Sequence, residues 1–280
     1  MILRKLEPQE HIKTRKLWEE IFTEDTSKFL DYYYTVKTTE NEIYVIEEDG
    51  QIVSMLHLNP YQMRIKNQIY KTHYIVAVAT DENYRKRGYM AKLLNHTMQV
   101  MGERGEPFTF LMPAAEAIYK PFGFEFIYEQ KRGIVTGKQC KGENLTFVMA
   151  KEEDCQGIAD YANANLQAYD VVTWRDEDYY KTLLKEQASE DGGILLAKEN
   201  DKIVGIFCFA RGERTEIREP LYSHESILQQ AAYVLTGNET EEIHCIGYGK
   251  ENKPMIMAKV LQSRLEGQLK DLKVFLNEVV

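Results

Sequence analysis

The stretch Tyr74 to Leu94, YIVAVATDENYRKRGYMAKLL, joins a β-branched apolar run to a short polar loop and then to an amphipathic helix. Ile75, Val76, Val78 and Ala79 form the kind of run a buried strand needs, and Met90, Leu93, Leu94, Thr97 and Met98 recur at helical spacing. The loop between them, Asp81 to Arg87, carries three basic residues directly before Gly88. A strand running into a helix leaves the first-turn N–H groups unpaired and aims the positive end of the helix dipole at whatever lies there. Gly88 lets backbone come close to a ligand, and Arg85, Lys86 and Arg87 add full charges, so the junction is a cradle for an anion, phosphate above all. Neither GxxxxGK[ST] nor GxGxxG is present, which excludes a nucleoside-triphosphate loop and a dinucleotide turn.

Arg85-Lys86-Arg87-Gly88-Tyr89-Met90 resembles the RxxGxG/A signature of the GNAT acetyltransferases, with Met90 where the last small residue usually stands. Downstream, Phe108 to Met112 is the pattern of a further strand ended by Pro113. Glu116 to Phe124, EAIYKPFGF, is a short helix broken by Pro121 and turned back by Gly123. Tyr119, Gly123 and Phe124 match the Tyr-x-x-x-Gly-Phe sequence that follows the cofactor helix in GNAT proteins. Two motifs in the family's order, over about residues 1 to 135, make the resemblance specific. The wording YRKRGYMAKLL followed by IYKPFGF is most similar to the enhanced-intracellular-survival branch, whose members have a second, degenerate GNAT domain and a third, sterol-carrier-like one.

The resemblance implies acetyl-coenzyme A (acetyl-CoA) as co-substrate. The main chain of Val78 and Thr80 would pair with its pantetheine arm, and Arg85, Lys86, Arg87, Gly88, Tyr89 and Met90 would hold its diphosphate. It assigns Tyr119 the protonation of the leaving thiolate, a task a phenol of pKa about 10 can perform for a thiol near ~8.5. The acceptor amine needs a base, for which His57, His73, Glu24 and Asp25 are candidates, none of them singled out. In the survival branch a terminal carboxylate delivered by the third domain enters the site; Val280 stops this sequence too early for such a domain.

Composition sets the frame. The 280 residues suffice for two modest domains, and 44% hydrophobic with 28% charged residues is ordinary for a globular protein. A net charge of −9 argues against nucleic acid and favours a small-molecule or peptide amine as partner. Four cysteines without a CxxC pair and six histidines without HExxH suggest neither a metal site nor a disulfide framework. Charges enter MILRKLEPQEHIK too early for a signal peptide and no apolar run spans a membrane, so a cytoplasmic protein is expected. Nothing in the sequence sets the oligomeric state.

In order, a strand is expected near Ile2 to Lys5, then a helix opened by Pro8 with Ile12, Leu17, Trp18, Ile21 and Phe22 on its apolar face. Thr26 or Ser27 can cap a second helix that packs through Phe29, Leu30, Tyr33 and Tyr34. Asp49-Gly50 marks a tight hairpin between Glu42–Glu48 and Ile52–Leu58, and Lys66-Asn67-Gln68 a second between Tyr61–Ile65 and Ile69–Thr80.

The second half repeats the first hairpin. IYVIEEDGQIVSMLHL, Ile43 to Leu58, lies without a gap over ILLAKENDKIVGIFCF, Ile194 to Phe209, with Ile43/Ile194, Glu48/Glu199, Ile52/Ile203 and Val53/Val204 identical. Where the basic loop should recur stands Glu219-Pro220-Leu221-Tyr222-Ser223-His224-Glu225, with no arginine cluster, no glycine and carboxylates that would repel a diphosphate. The expected fold is therefore α/β (α+β), with two GNAT-like domains, each a mixed, mostly antiparallel sheet flanked by helices. Residues 1–137 would be the catalytic domain and 145–280 a degenerate one, divided at Gly137 to Asn144. Two functions fit: an N-acetyltransferase in which a primary amine attacks the thioester directly, or a non-catalytic acyl-CoA-binding or interaction protein.

Overall fold

The computed structural model describes residues 1–139, 145–212, 214–263 and 269–277. The chain divides into two compact units. The first is built from Met1–Tyr128, Tyr169–Trp174 and Met255–Val280; the second is built from Glu129–Ala168 and Arg175–Pro254. Most of the boundary expected at Gly137 to Asn144 lies outside the described residues.

The first unit runs β1 (Ile2–Lys5), α1 (Arg15–Ile21), α2 (Ser27–Thr35), β2 (Glu42–Glu48), β3 (Gln51–Ile65), β4 (Gln68–Thr80), α3 (Tyr89–Glu103), β5 (Phe108–Leu111), α4 (Glu116–Tyr119) and the start of β6 (Glu125–Thr136). In the second are β7 (Leu145–Met149), α5 (Cys155–Asn165), α6 (Glu177–Ser189), β9 (Gly193–Glu199), β10 (Lys202–Arg211), β11 (Thr215–Tyr222), α7 (Glu225–Thr236) and β12 (Glu242–Ile246). Between α5 and α6, β8 (Val171–Thr173) belongs to the first unit, as do β13 (Glu251–Val260) from Met255 onward and β14 (Val274–Phe275).

In the first unit the strand order is β1-β2-β3-β4-β5-β13, antiparallel except for the β4–β5 pair. β8 adds antiparallel to the far half of β3, and β14 adds parallel to β8. In the second unit the order is β6-β12-β11-β10-β9-β7, again with one parallel pair, β11–β12. Both are mixed, mostly antiparallel α+β sheets with helices on both faces. α1 and α2 cover one face of the first sheet through Leu17, Trp18, Phe29 and Tyr33 against Val45, Met55 and Ala77. α3 covers the other through Leu93, Leu94 and Met101 against Leu56, Leu58 and Ile75. Each such leucine, fully buried, contributes about 1.5–3 kcal/mol.

The gapless repeat between the hairpins extends to their irregularities. Glu47 pairs with Ile52 and Ile46 with Ser54, so Val53 is an extra residue on β3; Lys198 pairs with Ile203 and Ala197 with Gly205, so Val204 is extra at the matching place on β10. A second bulge recurs one strand later. Met55 pairs with Ala79 and His57 with Val76, while Ile206 pairs with Leu221 and Cys208 with Arg218. The residues that take the left-handed conformation there are Ala77 (φ 51°) and Glu219 (φ 52°).

Two expectations need correction. Ile12 lies in a 3-10 turn, Pro8–Thr14, that precedes α1, and is exposed, because three residues per turn rotate it away from the stripe that buries Leu17 and Trp18. The strands expected separately at Ile52–Leu58 and Tyr61–Ile65 are one: β3 runs unbroken from Gln51 to Ile65. Pairing with β2 stops at Leu58 and pairing with β8 starts at Met63, so Pro60 occupies a gap on that edge, where a missing N–H is tolerated.

Candidate functional site

β4 loses its neighbour just where its sequence turns polar. Among the described residues it pairs with β5 only at Tyr74 and Phe110, so from Ile75 to Thr80 that edge has no strand partner. The Ala77 bulge lies within this open length, next to Val78. Thr80 is held by a hydroxyl contact to Ser54, 2.8 Å, and Ser54 also donates to the Ala79 carbonyl, 2.8 Å.

The loop that follows is braced from within. Asp81 accepts from the Asn83 N–H at 2.8 Å and opens a 3-10 turn, Glu82–Tyr84. Arg85 Nε donates to the Thr80 carbonyl (3.3 Å), and Arg87 donates to the Asn83 carbonyl (3.2 Å) and Glu48 (3.4 Å) while lying 4.7 Å over the Tyr84 ring. Lys86 takes φ 64° and Gly88 φ 77°. A left-handed residue followed by helical ones turns successive N–H groups to one side, a concavity suited to an anion. The first α3 bond to close on Gly88 comes from Lys92, at 3.1 Å, so the N–H groups of Tyr89, Met90 and Ala91 stay available. Lys86 is exposed and has no partner among the described residues.

The sequence-predicted residues divide by what they offer. The side chain of Tyr89 is buried and donates to Glu48, so only its main chain faces the loop. Met90, too large for the motif's usual small residue, turns into the core beneath α3. Tyr89 and Tyr119 are buried members of that apolar cluster, and Val78 and Met90 pack against it partly buried. Glu48, which grips both Arg87 and Tyr89 from the end of β2, was not foreseen, and no local pattern marks it.

Tyr119 ends the four-residue α4. Its ring meets Phe124, not the Phe122 beside it, at 6.0 Å and 71°. Burial pushes its phenol pKa up, so it holds its proton at neutral pH. The residue is only 7% exposed, yet its hydroxyl has no partner among the described residues and is not among the polar atoms sealed from solvent. It remains reachable.

Three of the four candidate bases, His57, His73 and Asp25, are engaged with other side chains. His73 is buried against Glu106, both carboxylate oxygens lying 2.9 Å from Nδ1. Asp25 accepts from Trp18 Nε1 at 2.7 Å, and Glu24 is exposed. His57 is wholly buried among Trp18, Tyr33 and Tyr34, and desolvation drives its pKa down to about 3. The unfolded chain would take up this proton near pH 6.5, so stability conferred by neutral His57 is complete above that pH and is lost as pH falls toward 3. His11, also buried, shifts in the same direction through desolvation. We expect unfolding free energy to fall by up to about 1.4 kcal/mol per pH unit per histidine below pH ~6.5. Urea unfolding between pH 7 and 4 checks this, and His57→Gln should flatten the slope.

The second unit shows the same framework without these features. At the place of Val78 stands Pro220, which has no N–H. At the place of Ala77 stands Glu219, buried and ion-paired with the fully buried Arg175. β11 ends at Tyr222 and α7 begins at Glu225, so two residues, Ser223 and His224, replace the eight-residue loop Asp81–Gly88. Arg175→Met would leave the Glu219 carboxylate buried without its cation. The expected cost is about 3–5 kcal/mol in urea unfolding, and Arg175→Met/Glu219→Gln should recover most of it.

Among the described residues, no group of three or more His, Cys, Asp or Glu is placed to hold a metal, and no helix is long and apolar enough to cross a membrane. Cys155, Cys208 and Cys245 are buried free thiols; Cys140 lies outside the described residues.

Residues 3–127 match the family described as "Acetyltransferase (GNAT) domain". Comparison with curated protein sequences finds no match. Among solved structures, a protein of Enterococcus faecalis V583 described as a "Probable N-Acyltransferase" superposes with TM-score 0.78 at 18% identity, covering 93% of this chain and 72% of its own. Eis1 of Mycobacterium abscessus gives TM-score 0.65 at 10% identity, over 93% and 74%. The N-myristoyltransferase of Saccharomyces cerevisiae with bound myristoyl-CoA gives 0.61 at 6%, over 92% and 80%. The fold is that of the GNAT acetyltransferases.

Proposed function

We propose that the protein is an acetyl-CoA-dependent N-acetyltransferase that transfers an acetyl group to a primary amine by direct attack on the thioester. The observation that carries this reading is the Lys86–Ala91 turn. Left-handed Lys86 and Gly88, free first-turn N–H groups and three cations follow an open, bulged strand edge; the matching strand of the second unit is bulged in the same way, but the basic glycine loop is replaced there by Ser223 and His224. The diphosphate would lie on the N–H groups of Gly88, Tyr89 and Met90 with Arg85, Lys86 and Arg87 around it. Val78 and Thr80 would pair with the pantetheine arm, and the main chain near Val78 would donate to the developing oxyanion. Tyr119, protonated and reachable, would give its proton to the departing thiolate. The likeness to Eis1 supports reading the chain as similar to the tandem-domain, enhanced-intracellular-survival branch, with the second unit as its degenerate domain. The engagement of His57, His73 and Asp25 with other side chains favours a second reading, a protein that binds acyl-CoA without turning it over.

Calorimetric titration with acetyl-CoA and with coenzyme A separates these. One molecule bound per chain at micromolar affinity, followed by thiol release with some member of an amine panel, supports the enzyme. Binding without thiol release for any amine supports the second reading, and no binding removes both.

A further inference from the structure

The sheet of the second unit ends in β7, LTFVM, which pairs with β9 along one edge and, among the described residues, with no strand along the other. It runs in unbroken register, from Leu145 opposite Glu199 to Met149 opposite Leu195. Successive residues of an antiparallel strand turn their backbone groups to alternate sides, and two observations fix which residues of β7 turn outward. The Ala150 N–H donates to the carbonyl of Ile194 at 2.8 Å, so Val148 and Thr146, two and four residues back, also bond to β9. On β9 the two-residue turn at left-handed Asn200 and Asp201 is closed by the Glu199–Lys202 pair. Glu199, Ala197 and Leu195 therefore bond to β10, which leaves Lys198, Leu196 and Ile194 to bond β7. Both observations turn the N–H and C=O groups of Leu145, Phe147 and Met149 to the open edge.

Natural sheets blunt such edges with charge, proline, a bulge or extreme shortness. The first unit does so: β1 carries Arg4 and Lys5, both ion-paired, and β14 is two residues long. β7 has no charged residue, no proline and no bulge. Leu145 and Phe147 pack partly buried against the core that α7 covers, while Val148 is 39% and Met149 49% exposed.

We propose that β7 is a self-association edge, pairing antiparallel with β7 of a second copy about a two-fold axis at Phe147. Leu145, Phe147 and Met149 are spaced symmetrically about that axis. Phe147 then faces the partner's Phe147, Leu145 faces the partner's Met149, and each pair exchanges both N–H···O=C bonds, which leaves no outward group bare. Thr146 lies opposite the partner's Val148. Every cross-strand pair is apolar or β-branched, with no charge to bury. A register moved by one residue sets outward groups against inward ones, and a register moved by two leaves groups bare at the ends. A foreign strand would have to reproduce this pattern, whereas a second copy supplies it by symmetry. Two five-residue strands bury less than the ~800 Å² per partner of a standard interface, so the dimer is a weak, reversible one. The net charge of −9 on each copy opposes it, and salt screens that opposition.

Sedimentation equilibrium of the whole chain from micromolar to millimolar concentration, at low and at high salt, tests this. A reversible shift toward twice the mass of one chain, stronger at high salt, is expected. Thr146→Lys/Val148→Lys changes two exposed side chains, leaves β7 paired with β9 and sets lysine against lysine across the axis; it should abolish the shift. Thr146→Lys/Val148→Glu sets each new lysine against a new glutamate of the other copy and should restore it. Circular dichroism and the unfolding midpoint establish that each variant is folded. A single mass at every concentration overturns the proposal, as does a dimer that survives the double-lysine variant. Loss of the dimer in both folded variants refutes the pairing about Phe147.

Discussion

Gly88→Asp should abolish acetyl-CoA binding, weakening it at least ~100-fold, or about 2.7 kcal/mol, while the protein stays folded. Asp at φ 77° costs about 1–2 kcal/mol in backbone strain. Nothing lies within 4 Å of the position a Cβ would take, so the side chain meets no clash. A carboxylate at the first turn of α3 also regains part of the strain through the helix dipole, roughly 0.3–1 kcal/mol. The same carboxylate would sit where the diphosphate needs N–H groups and cations, repelling it and capping the donors it would use. Calorimetry with the unfolding midpoint measured alongside makes the comparison. Unchanged affinity in a folded variant would show that the Arg85–Met90 turn holds no diphosphate.

Tyr119→Phe should lower kcat by about 100-fold or more and leave the KM for acetyl-CoA nearly unchanged. The ring supplies packing against Phe124, which phenylalanine keeps; only the hydroxyl goes. That hydroxyl makes no hydrogen bond among the described residues, so its loss leaves no orphan behind and stability should not change measurably. A thiol that must leave without a proton donor slows turnover, and the defect should not deepen as pH falls, because solvent then supplies the proton more readily. A variant with full activity would remove Tyr119 from the chemistry.

The strand, loop and helix around Gly88 were legible because each is written locally: an apolar run, a basic glycine loop and helical spacing are all visible within twenty-one residues. The repeat was legible through the two hairpins, which carry identical residues on either side of their turns. Its bulges were not. Alanine at 77 and glutamate at 219 are poor markers of a left-handed conformation, which the paired register of neighbouring strands imposes on them. The grip of Glu48 on Arg87 and Tyr89 escaped for the same reason, since it joins residues some forty positions apart. Nor could the sequence reveal that His57 and His73 are committed elsewhere: a histidine in an alternating strand has the same appearance whether it faces solvent, a carboxylate or a wall of aromatic rings.

The first unit borrows three strands from late in the chain. β8 lies on β3, β14 on β8, and β13 on the free side of β5. On the ribosome, therefore, the stretch that contains Gly88 and Tyr119 is synthesised before the strands that flank it, and β3 and β5 must wait with bare edges while roughly a hundred or more further residues are added. Such edges invite pairing with other chains. A fragment ending at residue 137 should thus be prone to aggregate even though it carries every motif. Refolding of the whole chain should be slow because its closing contacts span so much sequence.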